Sequence, residues 1–279
     1  MSGSKPQFDS DPLKKLGLIA GNGVFPLEVA RAARVRGVRV IAVAHRGESL
    51  PELEALVDKI NWINVGQVQQ MIDFFKAGGV DQAAMAGGIT RARLAESFTP
   101  DSRAVAMMSR MARFSDDAVL RALAAELESE GIPMIDPVPM LTRALAESGP
   151  LAGPAPQDRH MKDLELAFSL MRVLGKFDVG QAVAIHSGIV AAVEAVEGTD
   201  AALRRAAVLC GAGMVVAKMA KAGQDMRFDR PAIGPATIEL LAELRAAMIG
   251  VEAGQALILE RSRTFALAAE NGITIYGHD

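Results

Sequence analysis

Residues 223–235 read GQDMRFDRPAIGP and follow the apolar run MVVAKMA after Lys221 and Ala222. A strand end that only has to turn is served by one glycine or proline. These thirteen positions instead hold two acids, two arginines, two prolines and two glycines. Gly223 frees the backbone to deliver Asp225 outward, and Gln224 adds an uncharged donor and acceptor beside it. A carboxylate is a hard oxygen ligand for Mg²⁺, which takes one or two of them and completes its octahedron with water and substrate phosphate. Arg227, and Lys218 in the preceding run, suit phosphate oxygens whose charge grows during phosphoryl transfer. Asp225, Lys218 and Arg227 are therefore catalytic candidates for diphosphate hydrolysis. An ion pair that merely pins the loop is the competing account, and it weighs most for Asp229 and Arg230.

A second acidic group, VEAVEGTD, carries Glu194, Glu197 and Asp200. In an extended segment Glu194 and Glu197 face opposite sides, so only one of them points into a given cleft. Glu197 and Asp200 join Asp225 as the metal-ligand candidates. Thr199 is a substrate-binding candidate, although Thr199 and Asp200 also stand where a helix N-cap belongs. Gly211 and Gly213, in LCGAGM, offer backbone donors to a substrate, as does the side chain of Gln224. Cys210 reads as a small apolar residue, since no histidine is placed by sequence to activate it.

Two glycine turns add to this inventory. IAGNGVFPLEVARAAR is a strand, a turn and a helix, which aims backbone N–H groups and a helix N-terminus at an anion. It differs from a dinucleotide fingerprint where it matters: Pro26 replaces the third glycine, and His45 and Arg46 end the second strand where a ribose-binding acid is wanted. A nicotinamide dinucleotide is disfavoured; a nucleotide or phosphate held by Gly21, Asn22 and Gly23 is expected, and a ligand-free tight turn is the alternative. MAGGITRARL repeats the pattern with Gly87 and Gly88, and Thr90 is placed to cap a following helix.

The elements that must position these residues alternate from Leu16 onward: LGLIAG, PLEVARAARVRG, VRVIAVAH, DKINWIN, QVQQMIDFFKAGG, DQAAMAGG. Such alternation signals βαβ units and a parallel sheet. The expected fold class is α/β, with a Rossmann-like N-terminal domain over 16–145 and a second, distinct mixed α/β domain over 162–279. Residues 1–15 read as a disordered lead-in and 146–161, rich in proline and glycine, as a linker. In the first domain GIPMIDP is expected as a strand and the Met-rich 104–114 as a helix, ordinarily core, that an acyl chain can also use. In the second, a helix over 163–175, a hairpin turning at Ser187-Gly188, a helix over 235–248 and a strand in QALILE are expected.

Composition narrows the function classes. A net charge of −3 and pI near 5.9 leave no basic field to hold a nucleic-acid backbone. One cysteine excludes an internal disulfide, which suits a reducing cytoplasm. The start of the chain lacks the pattern of a signal peptide, and no apolar run approaches the ~20 residues of a bilayer span.

Taken together and in this order, LGLIAGNGVFP, MAGGITR, GQAVAIHSGIVAAVEAVEGTD and GQDMRFDRPAIGPATI resemble the UDP-2,3-diacylglucosamine pyrophosphatases of the lipid A pathway of some Gram-negative bacteria, the type unrelated to calcineurin-like phosphoesterases. The similarity runs from about Leu16 to the C-terminus. It implies a two-domain enzyme that uses Mg²⁺ to hydrolyse the diphosphate of UDP-2,3-diacylglucosamine, water attacking the α phosphorus to give UMP and 2,3-diacylglucosamine 1-phosphate (lipid X). The aspartate of the family's GQD block falls on Asp225. The resemblance also implies a cytoplasmic protein making transient contact with the cytoplasmic face of the inner membrane, and it leaves room for a homodimer. A non-catalytic UDP-sugar-binding regulator and a nucleotide-sugar transferase are the rival readings.

Overall fold

The computed structural model describes residues 13–90, 98–112, 114–177 and 179–279, and the chain divides into two compact units between Leu141 and Thr142. Most of the expected disordered lead-in, up to residue 12, lies outside the described residues, and Lys15 already opens a strand.

In the first unit, strands β1 (Lys15–Ala20), β2 (Arg39–His45), β3 (Lys59–Ile63) and β4 (Gln82–Ala86) form a parallel sheet in the order β3-β2-β1-β4. β1 is central and buried on both faces, which explains its near-continuous apolar sequence. Helix α1 (Phe25–Val35) follows β1 with Pro26 in its first turn and buries Leu27, Ala30 and Ala33, an i, i+3, i+6 stripe. Helix α2 (Val68–Gly78) joins β3 to β4, so the two glycine turns leave the carboxyl ends of adjacent strands, β1 and β4.

Helices α3 (Ser102–Ser109) and α4 (Asp116–Ser129) are capped by Asp101 and Ser115, whose side chains accept from Ala104 N and Ala118 N. Arg103 ties α3 to the α4 region through ion pairs of 2.7 Å to both Glu126 and Glu130. The Met-rich helix stops at Ser109 and buries only Ala104 and Met107, less core than its sequence suggests. The strand expected in GIPMIDP is reduced to a single parallel bridge between Ala83 and Met134.

The second unit is built on six strands in the order β5-β12-β10-β8-β6-β7. These are β5 (Gly149–Ala152), β6 (Ala182–His186), β7 (Ile189–Val193), β8 (Val215–Lys218), β10 (Met248–Glu252) and β12 (Thr274–His278). β8, β10 and β12 are parallel, whereas β5, β6 and β7 each run antiparallel to the neighbour already in place. Alternation along the strands feeds two cores. Val183, Ile185, Val215 and Ala217 pack with Leu164, Phe168 and Met171 of α5 (Asp158–Leu174). Ala184 and Val216 pack on the other face, with Leu203 of α6 (Thr199–Cys210), Ile238 and Leu241 of α7 (Pro235–Glu243), and Ala268 of α8 (Arg261–Glu270). Two short strands, β9 (Ala232–Ile233) and β11 (Leu257–Ile258), pair separately.

Four expectations are corrected here. The stretch read as a linker, 146–161, belongs to the second unit: it buries Ala146, supplies β5 and begins α5. Pro150 is tolerated because β5 is an edge strand. The helix expected over 235–248 ends at Glu243, because Arg245 takes a left-handed conformation (φ 53°) with no glycine to announce it, and Met248 starts β10. QALILE provides only the two residues of β11. Helix α5 starts at Asp158, five residues before the expected Asp163. At the Ser187-Gly188 turn both residues have positive φ (51° and 78°), as a type I′ hairpin requires. The buried Asp163 carboxylate accepts both turn N–H groups, at 2.9 and 2.7 Å.

One close approach in this unit yields a stability prediction. A Cβ at Gly277 would lie 1.7 Å from the Glu147 carbonyl oxygen, so backbone must move to admit it. Gly277→Ala should cost about 1–3 kcal/mol, the range of an overpacked core. The check is a lower denaturant midpoint at unchanged slope; an unaltered midpoint would show that the strand edge yields freely.

Candidate active site

Strand direction decides which candidates meet in the second unit. Gln181 precedes β6, Glu194 follows β7, and Lys218 and Glu252 end β8 and β10. The registers Ala182↔Lys218 and Val183↔Val193 put all of them on one edge of the sheet. This is the carboxyl edge of the parallel strands, where ligands of open α/β sheets bind. The loop 219–231 leaves β8 at that edge and carries Gln224, Asp225, Arg227 and Asp229.

The loop tightens into one helical turn, in which Phe228 N and Asp229 N donate to the Asp225 carbonyl (3.1 and 3.4 Å). Asp225 caps its own turn, its Oδ1 accepting from Arg227 N at 3.0 Å. The Arg227 side chain folds back onto the same carboxylate: Nε donates to Oδ1 at 3.1 Å and Nη2 to Oδ2 at 2.9 Å. The result is a two-point ion pair, with 14% of the Asp225 side chain and 41% of the Arg227 side chain exposed. The guanidinium also sits 4.6 Å above the Phe228 ring, a cation–π contact that fixes its plane.

Lys218 is placed differently from the phosphate ligand expected of it. Its Nζ donates to the Ala232 carbonyl at 3.1 Å. Burial holds the ammonium below the ordinary lysine pKa, while Glu194, Asp229 and Asp200 pull it back up. Two glutamines connect these charges to the loop. Gln181 N donates to Glu194 (3.0 Å), Gln181 Nε2 to Asp229 (3.0 Å), Gln224 Nε2 to Asp229, and Lys221 N to Gln224 Oε1 (3.0 Å). Gln181, Glu194 and Asp229 thus form with Lys218 a polar hub under the Asp225 turn. The sequence offered Asp229 only as a loop ion pair and gave no reason to single out Gln181, because neither long-range contact has a local signal.

A cavity of about 320 Å³ opens beside the loop. Its wall takes Met171 and Arg172 from α5, Met219 to Gln224 and Met226 from the loop, Glu252 at the end of β10 and Gln255 beyond it. Asp225 is not part of that wall.

The three expected metal ligands do not assemble. Glu197 pairs with Arg205 (2.6 Å) and accepts from Ala195 N (3.1 Å), and among the described residues no three His, Cys, Asp or Glu side chains gather as a metal site. The donor set therefore does not fit an all-protein Mg²⁺ cage; it fits an ion shared between a single carboxylate and substrate phosphate. Thr199 and Asp200 lie in the first turn of α6, whose N-cap is Gly198, without a side-chain cap. Gly211 and Gly213 stand at the other end of α6, about 18 Å away at 1.5 Å per residue. They precede β8 at the opposite sheet edge, and the Gly213 N–H is taken by the Arg245 carbonyl (2.8 Å). Cys210 donates to Ala206 O, and burial raises its thiol pKa, which disfavours the thiolate a nucleophile needs.

In the first unit the two glycine turns hold each other. Gly21 N donates to Ala86 O, Asn22 N to Gly88 O (both 2.8 Å), and Gly88 N to Asn22 Oδ1 (3.3 Å). A Cβ on Gly21 would meet Gly88 O at 2.3 Å, and one on Gly87 would meet Asn22 O at 2.3 Å. Three of the five residues expected to offer N–H groups to substrate spend them on this contact; Gly23 and Gly87 do not. The helix that Thr90 was expected to cap lies outside the described residues.

Comparison with known proteins agrees along the chain. Residues 15–144 match the LpxI N-terminal domain and residues 147–276 the LpxI C-terminal domain. The chain belongs to the LpxI family. A protein of Caulobacter vibrioides named UDP-2,3-diacylglucosamine pyrophosphatase LpxI is 33% identical over 278 residues, covering 96% of this chain and 98% of that protein. Among solved structures, pyruvate carboxylase from Rhizobium etli covers 62% of this chain and 14% of its own (TM-score 0.29, 16% identity). The biotin carboxylase domain of Hydrogenobacter thermophilus 2-oxoglutarate carboxylase covers 71% and 41% (TM-score 0.30, 15% identity). Scores this low carry nothing about fold or function. Among the described residues no helix is long and apolar enough to cross a membrane.

The hub makes a prediction about the fold beneath the site. Asp229→Ala leaves two glutamine amides short of an acceptor and a buried ammonium short of one nearby negative charge, and should cost roughly 1–3 kcal/mol. Glu197→Ala, which loses an exposed ion pair, should leave the unfolding midpoint nearly unchanged. Denaturant unfolding of both variants checks the contrast; equal midpoints would dissolve the hub.

Proposed function

We propose that this LpxI-family chain hydrolyses the diphosphate of UDP-2,3-diacylglucosamine in lipid A synthesis, releasing UMP and 2,3-diacylglucosamine 1-phosphate by attack of water on the α phosphorus. The observation that carries the reading is the Asp225–Arg227 pair on a tight turn at the carboxyl edge of the second sheet, in a chain that matches the family from end to end.

In this reading Arg227 supplies a fixed guanidinium for phosphate oxygens that gain charge in the transition state. Asp225 is the carboxylate of the reaction: it would hold Mg²⁺ and would orient the attacking water. When bound there, Mg²⁺ would offset the charge of two phosphates that otherwise repel the nucleophile. Lys218, facing three carboxylates, sets the potential under the turn and holds the loop that bears Asp225; it is assigned no phosphate. Gln224 borders the cavity and is held by Asp229 and Lys221, which suits a neutral contact to substrate. The acyl-bearing substrate is expected to reach a chain of this kind from the cytoplasmic leaflet of the inner membrane.

Three measurements test the proposal. Hydrolysis in ¹⁸O water should put the label in UMP; label in the sugar phosphate would move the attack to the other phosphorus, and free UDP would indicate transfer. Asp225→Asn should lower kcat by about 100-fold or more, as loss of a transition-state contact does, while substrate affinity stays within a few-fold. Full turnover by that folded variant would reject the assignment. EDTA should abolish UMP release and Mg²⁺ restore it, and turnover that continues in EDTA would remove the metal from the scheme.

A further inference from the structure

A buried acid in the first unit remains unaccounted for. Glu48 lies three residues past β2, on a turn in which Glu48 N and Ser49 N both donate to the His45 carbonyl (3.1 and 3.0 Å). The turn is anchored to the end of β1: Ser49 Oγ donates to Ala20 O and accepts from His45 N, and His45 Nδ1 meets Ala20 O at 2.8 Å. From there the carboxylate, 7% exposed, reaches both glycine turns at once. Its Oε1 accepts from Thr90 Oγ (2.6 Å), and its Oε2 accepts from Asn22 Nδ2 (3.2 Å) and Thr90 N (3.3 Å).

Three features argue against a mere packing role. All three donors are neutral, and among the described residues no lysine or arginine pairs with this buried acid, an arrangement that adds little to stability. Its partners are the residues that hold the turns to each other, since Asn22 also bonds both ways with Gly88. Finally, among the described residues the N–H groups of Gly23 and Gly87, which flank the clamp, make no internal hydrogen bond, and nothing lies within 4 Å of where a Gly23 side chain would stand. Both belong to turns at the carboxyl ends of adjacent parallel strands, where ligands bind.

We propose that Glu48 is a positioning residue: by fixing Asn22 and Thr90 it holds the Gly23 and Gly87 N–H groups in the arrangement that receives the phosphate of a uridine nucleotide. The inference rests on the hydrolase reading for its substrate and on the first unit alone for its geometry. Free N–H groups bind a phosphate well only when held before it arrives, because ordering them on binding subtracts from affinity.

The test is kinetics and UMP binding with Glu48→Ala, Glu48→Gln and Thr90→Val in the full chain. Glu48→Ala should raise KM for UDP-2,3-diacylglucosamine about tenfold or more and weaken UMP binding in parallel, with kcat changed less than about threefold, the signature of lost uniform binding. Glu48→Gln keeps an acceptor for Thr90 but sets an amide against the Asn22 amide, so it should recover part of the affinity. Thr90→Val should add little to Glu48→Ala, because both remove one clamp.

KM and UMP affinity unchanged in folded Glu48→Ala would overturn the proposal. So would a fall in kcat and melting temperature with KM unmoved and no recovery by Gln, which marks a structural acid. If Glu48→Ala does not fold, the same criteria apply to Glu48→Gln and Thr90→Val. A wild-type chain that binds UMP without releasing it from the sugar nucleotide defeats the hydrolase reading, and UMP affinity then decides the role of Glu48.

Discussion

An ammonium group stripped of much of its water sets the terms for the second unit. Lys218 closes β8, and burial disfavours its charge, so the fold must supply anions to keep it. Glu194 arrives from the end of β7, Asp229 from the far side of the loop, and Asp200 from the first turn of α6. β6 runs antiparallel to β8, so its start, with Gln181, lies at that edge, and β7 reverses again, so its end, with Glu194, lies there too. The β6–β7 hairpin is thus what brings Glu194 and Gln181 under the loop. The loop in turn is held through Gln181, Gln224 and Asp229.

The first unit solves a similar problem with the opposite charge. There a carboxyl group, Glu48, is enclosed among neutral donors and joins two turns that are otherwise connected through backbone bonds and the Asn22 side chain. In both units a buried ionisable side chain stands at a carboxyl sheet edge and fixes loops instead of facing solvent. A buried ionisable group is poor value for stability alone. Its presence twice, beside loops that carry the candidate site residues, is better explained by the geometry it imposes on them.

How much of this could be read from sequence follows from the range of each interaction. The parallel strands of the first unit and the helices between them have local periodicity, and the runs LGLIAG, VRVIAVAH, DKINWIN and DQAAMAGG all became strands. β5 was hidden because proline and glycine signal a linker, and only its antiparallel partner β12 makes it a strand. The start of β10 at Met248 was absorbed into a helix because the chain stops α7 with Arg245 instead of a glycine, and the rest of β10 was passed over. At the site, the oddity of GQDMRFD was legible and its internal pairing was not: Arg227 is two residues from Asp225, a spacing equally compatible with two groups facing a ligand. At the end of β2 the sequence drew attention to His45 and Arg46 and not to Glu48, which is brought back by a turn whose bonds to Ala20 span 25 and 29 residues.

The pairing of Asp225 with Arg227 bears on how a carboxylate can serve a reaction on an anionic substrate. An unpaired carboxylate at the site would repel a diphosphate before any metal arrived, whereas a carboxylate already neutralised by a guanidinium does not. The pair is partly exposed on the arginine side and mostly covered on the aspartate side. On the proposed hydrolysis an incoming phosphate would meet the cation first and compete with Asp225 for the Nη2 N–H. The bond Arg227 transfers to phosphate would leave Asp225 less screened, which strengthens it as a partner for Mg²⁺ or water only once substrate is present. Arg227 Nε and the Arg227 backbone N–H would still hold Oδ1 in place during that exchange, since they approach it from the turn and not from the guanidinium tip. The same short spacing that makes the two residues look like a simple loop ion pair is what lets one of them be released without losing its position.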